Sequence, residues 1–127
     1  PPEMMKEEEL RKFEPLVGVP VRRPALRPLG ASFRGARLHA MRDAQRTAML
    51  QYMLHDGHRV TVYVFNPRTV PLGATRLKPQ AVQEGQIYVG QLRGYSVAAA
   101  ERRGVGYAVT TDLDSAQSVQ MVATALP

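Results

Sequence analysis

Cysteine and tryptophan are absent from this chain of 127 residues, and histidine occurs only three times. Without cysteine there is no disulfide, no thiolate zinc site and no cysteine nucleophile, while an oxidising and a reducing compartment stay equally open. Hydrophobic residues make up 44% of the chain, yet no apolar run approaches the roughly 20 residues that a bilayer-spanning helix needs. The apolar core of a signal peptide is missing too. Gly104-Val105-Gly106 lacks the third glycine of a phosphate-cradling loop and opens a predicted strand rather than a helix. Ser32, Ser96, Ser115 and Ser118 stand in no nucleophile-elbow context. The chain begins at Pro1 with no initiator Met, which predicts a piece excised from a longer protein.

Positive charge is present in excess. The formal net charge is +6, and residues 31–78 hold Arg34, Arg37, Arg42, Arg46, Arg59, Arg68, Arg76 and Lys78 against only Asp43 and Asp56. Such an excess attracts phosphate or anionic lipid, so a basic module binding nucleic acid or an anionic membrane surface is one reading. Against it, the basic residues sit singly, with no Lys/Arg run and no aromatic-glycine pattern of a base-stacking sheet. A solvated surface is the simpler account.

Chemistry has few candidates. His55 and His58 flank Asp56-Gly57, which brings two imidazoles and a carboxylate near one turn, but zinc requires a third or fourth firm ligand, and none stands at a typical spacing. His39 lies on a predicted strand without an obvious partner. Asp112 and Asp114 resemble a paired acid and base, and capping of the following helix explains them more simply. No catalytic, cofactor-binding or metal residue is therefore assigned, and the chain reads as a binding or sensing module rather than an enzyme. Tyr52, Tyr63, Tyr88, Tyr95 and Tyr107 all fall on predicted strands, where they mark either an interaction face or half-buried sheet positions.

Periodicity predicts a single α+β domain, with an N-terminal helix and proline-rich arm over residues 1–30 and one compact unit over 31–127. Glu7, Glu8 and Glu9 precede Arg11 and Lys12 in the order that suits a helix dipole, and the helix should end near Pro15. Prolines at 15, 20, 24 and 28 make the next stretch extended, with Leu16, Val17, Val19, Val21, Ala25 and Leu26 available to dock. It is either an arm packed on the domain or a tether from an upstream segment. An antiparallel sheet of about five or six strands follows. Its strands are Ala36 to Met41, Arg46 to Leu54, Arg59 to Phe65, Gln86 to Leu92, Tyr95 to Arg102 and Tyr107 to Thr111. Arg42-Asp43-Ala44-Gln45 reads as a polar turn, and Asp56-Gly57 as a type I′ hairpin. The stretch from Pro67 to Pro79 is a loop longer than the usual connection, the kind that is functional or mobile. Asp114 with Gln117 suggests a capping box, and Ala116, Val119, Val122, Ala123 and Leu126 trace the apolar face of a C-terminal helix packed on the sheet.

Several of these segments, taken in order, resemble the extracytoplasmic part of membrane-anchored bacterial anti-sigma factors. They are Gly35-Ala36-Arg37-Leu38, the strand bearing Tyr52, Gly57 to Phe65, Gly94-Tyr95-Ser96-Val97 and Tyr107 to Asp114, preceded by Val19-Pro20-Val21 with Pro24. Members often carry Trp or another large group after the Gly-Tyr-x-Val element, where this chain has Ala98, Ala99 and Ala100. The resemblance implies a parent with a cytoplasmic helical domain that masks a sigma factor, one transmembrane helix, and an outer domain on the periplasmic side of the inner membrane. This chain would be that outer domain, without a cofactor or catalytic residues. Its partners would be the sigma factor and the membrane, both reached through absent upstream parts, an envelope protein or small molecule as signal, and a second copy of itself in a homodimer.

Overall fold

The computed structural model describes residues 7–40, 46–82 and 85–126. Seven antiparallel strands form one sheet: β1 (Ala31–Ala40), β2 (Arg46–Leu54), β3 (Arg59–Phe65), β4 (Lys78–Val82), β5 (Gly85–Leu92), β6 (Tyr95–Arg102) and β7 (Val105–Thr111). Their spatial order is β1-β2-β3-β7-β6-β5-β4, which sets β7 at the centre and leaves β1 and β4 as edges. The α+β class and the antiparallel sheet agree with the sequence reading, and the strand count exceeds it.

The additional strand is β4, which falls where the sequence suggested only loop. Lys78-Pro79-Gln80-Ala81-Val82 has no apolar alternation and contains a proline, so nothing local marks it. It exists because it pairs with β5, from Lys78 opposite Val89 to Val82 opposite Gly85. Proline is tolerated on such an edge, where one side of the backbone needs no partner. The first strand begins earlier than Ala36, at Ala31, and the register shifts between Phe33 and Gly35, placing a bulge at Arg34. Met41 and the predicted turn at residues 42–45 lie outside the described residues.

Hairpin chemistry also differs from expectation. A type I′ turn needs positive φ at both central residues. Gly57 has φ 90° and Asp56 does not, so His55 to His58 form a longer connection, closed by the Leu54 amide donating to the His58 carbonyl at 2.8 Å. Paired positive φ values occur instead at Arg93-Gly94 (52° and 84°) and Arg103-Gly104 (51° and 79°), the two-residue turns that join β5 to β6 and β6 to β7.

The N-terminal segment runs as α1 (Glu7–Leu10), a 3-10 turn over Arg11–Phe13 and α2 (Glu14–Val17). It continues past Pro15, contrary to the sequence reading, because proline in the first turn of α2 gives up an amide that would have no intrahelical partner. The stop is Gly18, in the left-handed region at φ 89°. The arm then packs on the domain. Val17, Val19, Val21 and Leu26 are buried, the Val21 amide donates to Glu14 Oε2 at 2.9 Å, the buried Tyr52 hydroxyl donates to the Pro24 carbonyl at 3.1 Å, and the Ala25 amide donates to the Ala125 carbonyl.

On the same side of the sheet, α3 (Ser115–Ala125) lies across β5, β6 and β7. Asp114 caps it, its Oδ1 accepting from the Gln117 amide at 2.8 Å. The buried face of α3 is Ser118, Met121, Val122 and Ala125, rotated from the predicted stripe, so that Ala116 is exposed and Val119, Ala123 and Leu126 flank the contact. Ser118 is tolerated there because its hydroxyl donates to the Asp114 carbonyl. Beneath α3 and the arm sit Ala48, Leu50, Val60, Val62, Val64, Ile87, Ala98, Ala100 and Val109, each essentially without solvent exposure. At roughly 1.5–3 kcal/mol for each fully buried branched side chain, this cluster is the main stabilising element of the fold.

Candidate functional site

Alternation along the strands sends the intervening residues to the opposite face. Across it runs one row of paired positions: Tyr88 opposite Ala99, Ala99 opposite Ala108, Ala108 opposite Tyr63 and Tyr63 opposite Met49. Two methyl groups between two phenol rings leave a trough. Residues 66–77, joining β3 to β4, fold over this trough and carry Val70, Leu72 and Leu77, which pack with Phe65, Tyr88, Ala99 and Ala108.

That loop holds its own shape. Asn66 Oδ1 accepts from the Arg68 amide, and its carbonyl accepts from the amides of Thr69 and Val70. A 3-10 turn over Leu72–Ala74 follows, the Thr75 hydroxyl donating to the Leu72 carbonyl at 2.6 Å. Two glycines on the sheet let it approach. A Cβ on Gly90 would stand 2.8 Å from Leu77 Cδ2, and one on Gly106 would collide with the Phe65 ring. At Gly106 the obstacle is an aromatic ring and glycine is favoured, whereas at Gly90 it is the flexible tip of Leu77.

The fit is incomplete, leaving a half-open cavity of about 260 Å³. Ala99 and Ala108 line its sheet side and Val70, Leu72 and Leu77 its loop side, with His39, Tyr63 and Phe65 completing an almost entirely carbon surface. The His39 and Tyr63 rings meet edge to face, centroids 6.0 Å apart. Two threonines interrupt the apolar lining: Thr75, whose hydroxyl donates to the Leu72 carbonyl, and Thr47. Thr47 is only 4% exposed, and its Oγ1 has no hydrogen-bond partner among the described residues. Buried hydroxyls are nearly always paired, so this orphan calls for an explanation.

A larger cleft, about 580 Å³, opens between the arm and the ends of β1 and β2, lined by Arg23, Leu26, Arg27, Phe33 and Tyr52 among others. Its groups are already engaged: Arg23 lies 5.0 Å above the Phe33 ring, and the Tyr52 hydroxyl is bonded to the arm. The smaller cavity is the better candidate, because it joins an apolar lining to a polar group that has no partner among the described residues.

The predicted chemistry-bearing residues are only partly brought together. His58 Nδ1 lies 2.7 Å from Asp112 Oδ1 and its Nε2 lies 3.8 Å from Asp56 Oδ2, so one imidazole bridges two carboxylates. His55 turns away towards Gly30. No group of three His, Asp or Glu side chains among the described residues is arranged to hold a metal. Asp112 is thus a partner of His58 rather than a cap. Among the serines, Ser96 donates to the Leu113 carbonyl at 2.8 Å and Ser32 to that of Met53. The five tyrosines do not share a face: Tyr52 and Tyr107 are buried on the α3 side, Tyr63 and Tyr88 flank the trough, and Tyr95 stands 53% exposed beside the β5–β6 turn. Burial pushes the Tyr107 phenol above its ordinary pKa, against a smaller opposing pull from Arg22. Arg34, Arg37, Arg46, Arg59, Arg68 and Arg76 are exposed and scattered over three strands and the loop.

Sequence reasoning missed the cavity, although one signal existed in Val70, Leu72 and Leu77, apolar residues in a segment otherwise marked as loop. No family model matches the chain, and neither a curated protein nor a solved structure matches it. No helix among the described residues is long and apolar enough to cross a membrane.

Proposed function

We propose that this chain is a sensing domain that binds rather than transforms, the extracytoplasmic part of a membrane-anchored anti-sigma factor. The observation that carries the sensing part is the two-sidedness of β3, β7 and β6. Tyr63, Ala108 and Ala99 border the cavity, while their neighbours Val62, Val64, Val109, Ala98 and Ala100 pack in the core beneath α3 and the arm. An occupant of the cavity therefore bears on the strands that hold α3, and it shifts their populations by whatever affinity difference it has between their arrangements. The anti-sigma assignment rests on the ordered strand motifs, of which Gly94-Tyr95-Ser96-Val97 spans the β5–β6 turn and Tyr107 to Asp114 runs from β7 to the cap of α3.

The test is made on the parent protein. A reporter active only outside the cytoplasm, fused after residue 127, should be active, and the segment upstream of Pro1 should retain a sigma factor on co-purification. A parent reading frame without an apolar helix ahead of this domain, or a reporter active only in the cytoplasm, would remove the anti-sigma reading.

A further inference from the structure

We propose that the cavity beneath residues 66–77 is a binding site for a compact, uncharged ring compound of one or two rings bearing a single hydrogen-bonding group, with Thr47 Oγ1 as its polar anchor. Size sets the first limit. A volume of about 260 Å³ lies between the roughly 150 Å³ apolar cavity that admits benzene and the roughly 300–1,000 Å³ of sites for drug-sized ligands. Lining sets the second. Ala99, Ala108, Leu72 and Phe65 offer only carbon, and the imidazole of the lining, His39, stands at the exposed mouth, so an ionised group held deeper in would lose its hydration without replacement.

The third limit is polar. Thr47 is buried and its hydroxyl has no partner among the described residues, which costs stability in the empty protein and is relieved by a ligand hydroxyl or amine that reaches it. His39 pairs with Thr47 across β1 and β2 and is itself exposed, which marks the mouth of the cavity on that side. The preference for rings follows from the walls: the Tyr63 and Phe65 rings present flat and edge surfaces on which aromatic ligands gain contact beyond simple area. Size, neutrality and one anchor together describe a naphthol or an indole better than a fatty acid, a sugar or a nucleotide.

Equilibrium dialysis of the 127-residue chain against 2-naphthol, naphthalene and naphthalene-2-sulfonate tests the site. Saturable one-to-one uptake of 2-naphthol is expected, with the sulfonate at least roughly tenfold weaker because its charge must be desolvated. Thr47→Val keeps the shape and removes the hydroxyl. It should weaken 2-naphthol roughly five- to tenfold while leaving naphthalene unchanged. Ala108→Leu fills the cavity and should abolish uptake of both, and its thermal transition reports whether it still folds. If Ala108→Leu does not fold, Thr47→Val alone decides the anchor. Absence of saturable uptake of all three probes up to their solubility limits would overturn the site, as would wild-type affinity in a folded Ala108→Leu protein. Equal loss of 2-naphthol and naphthalene in Thr47→Val, or no loss of either, would overturn the anchor. The inference stands on the cavity itself, so a chain that binds 2-naphthol while its parent lacks a membrane helix would keep this site and lose the anti-sigma reading.

Discussion

The two faces of the sheet are built from the same strands, alternate residue by alternate residue, and they differ in how completely they are covered. On one face α3 and the arm press onto Leu50, Val62, Val64 and Val109 until no solvent exposure remains. On the other a single loop crosses two alanines and two tyrosines and leaves a space beneath it. The first face makes the domain stable. The second holds a buried hydroxyl that has no partner among the described residues, at some cost to stability.

Substitutions on the two faces separate these roles. The largest effect should come from Leu50→Ala, which opens a new void in the fully covered core and should cost about 2–5 kcal/mol in urea unfolding. A cost near zero would mean that α3 and the arm do not close that face. Next is Gly106→Ala, whose added methyl would meet the Phe65 ring. It should cost about 1–3 kcal/mol, since the ring must move from its seat against β7. Leu72→Ala, on the cavity side, should cost less than about 2 kcal/mol, because the removed atoms border a space already present and only the transfer contribution is lost. Equal costs for Leu50→Ala and Leu72→Ala would break the contrast between the faces.

Smaller effects sharpen it. The Tyr107 phenol lies on the covered face, and burial raises its pKa above the value of about 10 found in an unfolded chain. Below that pH both states hold the proton and the contribution to stability is complete. Above it the unfolded chain ionises first, so stability should fall as pH rises through the folded value. Urea titrations at increasing alkaline pH should show this added loss in the natural chain and not in Tyr107→Phe. Smallest of all, Thr47→Val should be neutral or stabilising by up to about 1 kcal/mol, since it removes an unpaired hydroxyl without changing shape. A clear destabilisation would mean that the hydroxyl already has a partner.

Much of the covered face was legible in the sequence. β2, β3 and β6 have the predicted bounds because alternation in Arg46–Leu54 and Arg59–Phe65, and the glycine turns around Tyr95–Arg102, are local signals. Asp114 as a cap was legible for the same reason. β4 was not, since Lys78 to Val82 is a strand only through its pairing with β5. The orientation of α3 was misjudged because Ser118, a polar residue, occupies the buried face by bonding to its own helix. The continuation past Pro15 escaped notice because a second helix, α2, begins at Glu14, so that Pro15 falls in a first turn, where proline is tolerated. Of the cavity, the sequence carries only the three apolar residues of a predicted loop. The cavity depends on where Val70, Leu72 and Leu77 come down on Ala99 and Ala108, positions far apart in the chain that only the sheet order brings together.

The claim on which the account turns is that an apolar, accessible space persists under residues 66–77 in the folded protein. Crystals of the chain exposed to xenon under pressure would test it directly, because xenon settles against apolar cavity walls, as in an engineered cavity of roughly 150 Å³. Xenon density against Ala99 and Ala108 beneath Leu72 is the predicted result. Crystals that diffract well after pressurisation and show no xenon there, with the loop side chains filling the space, would contradict it.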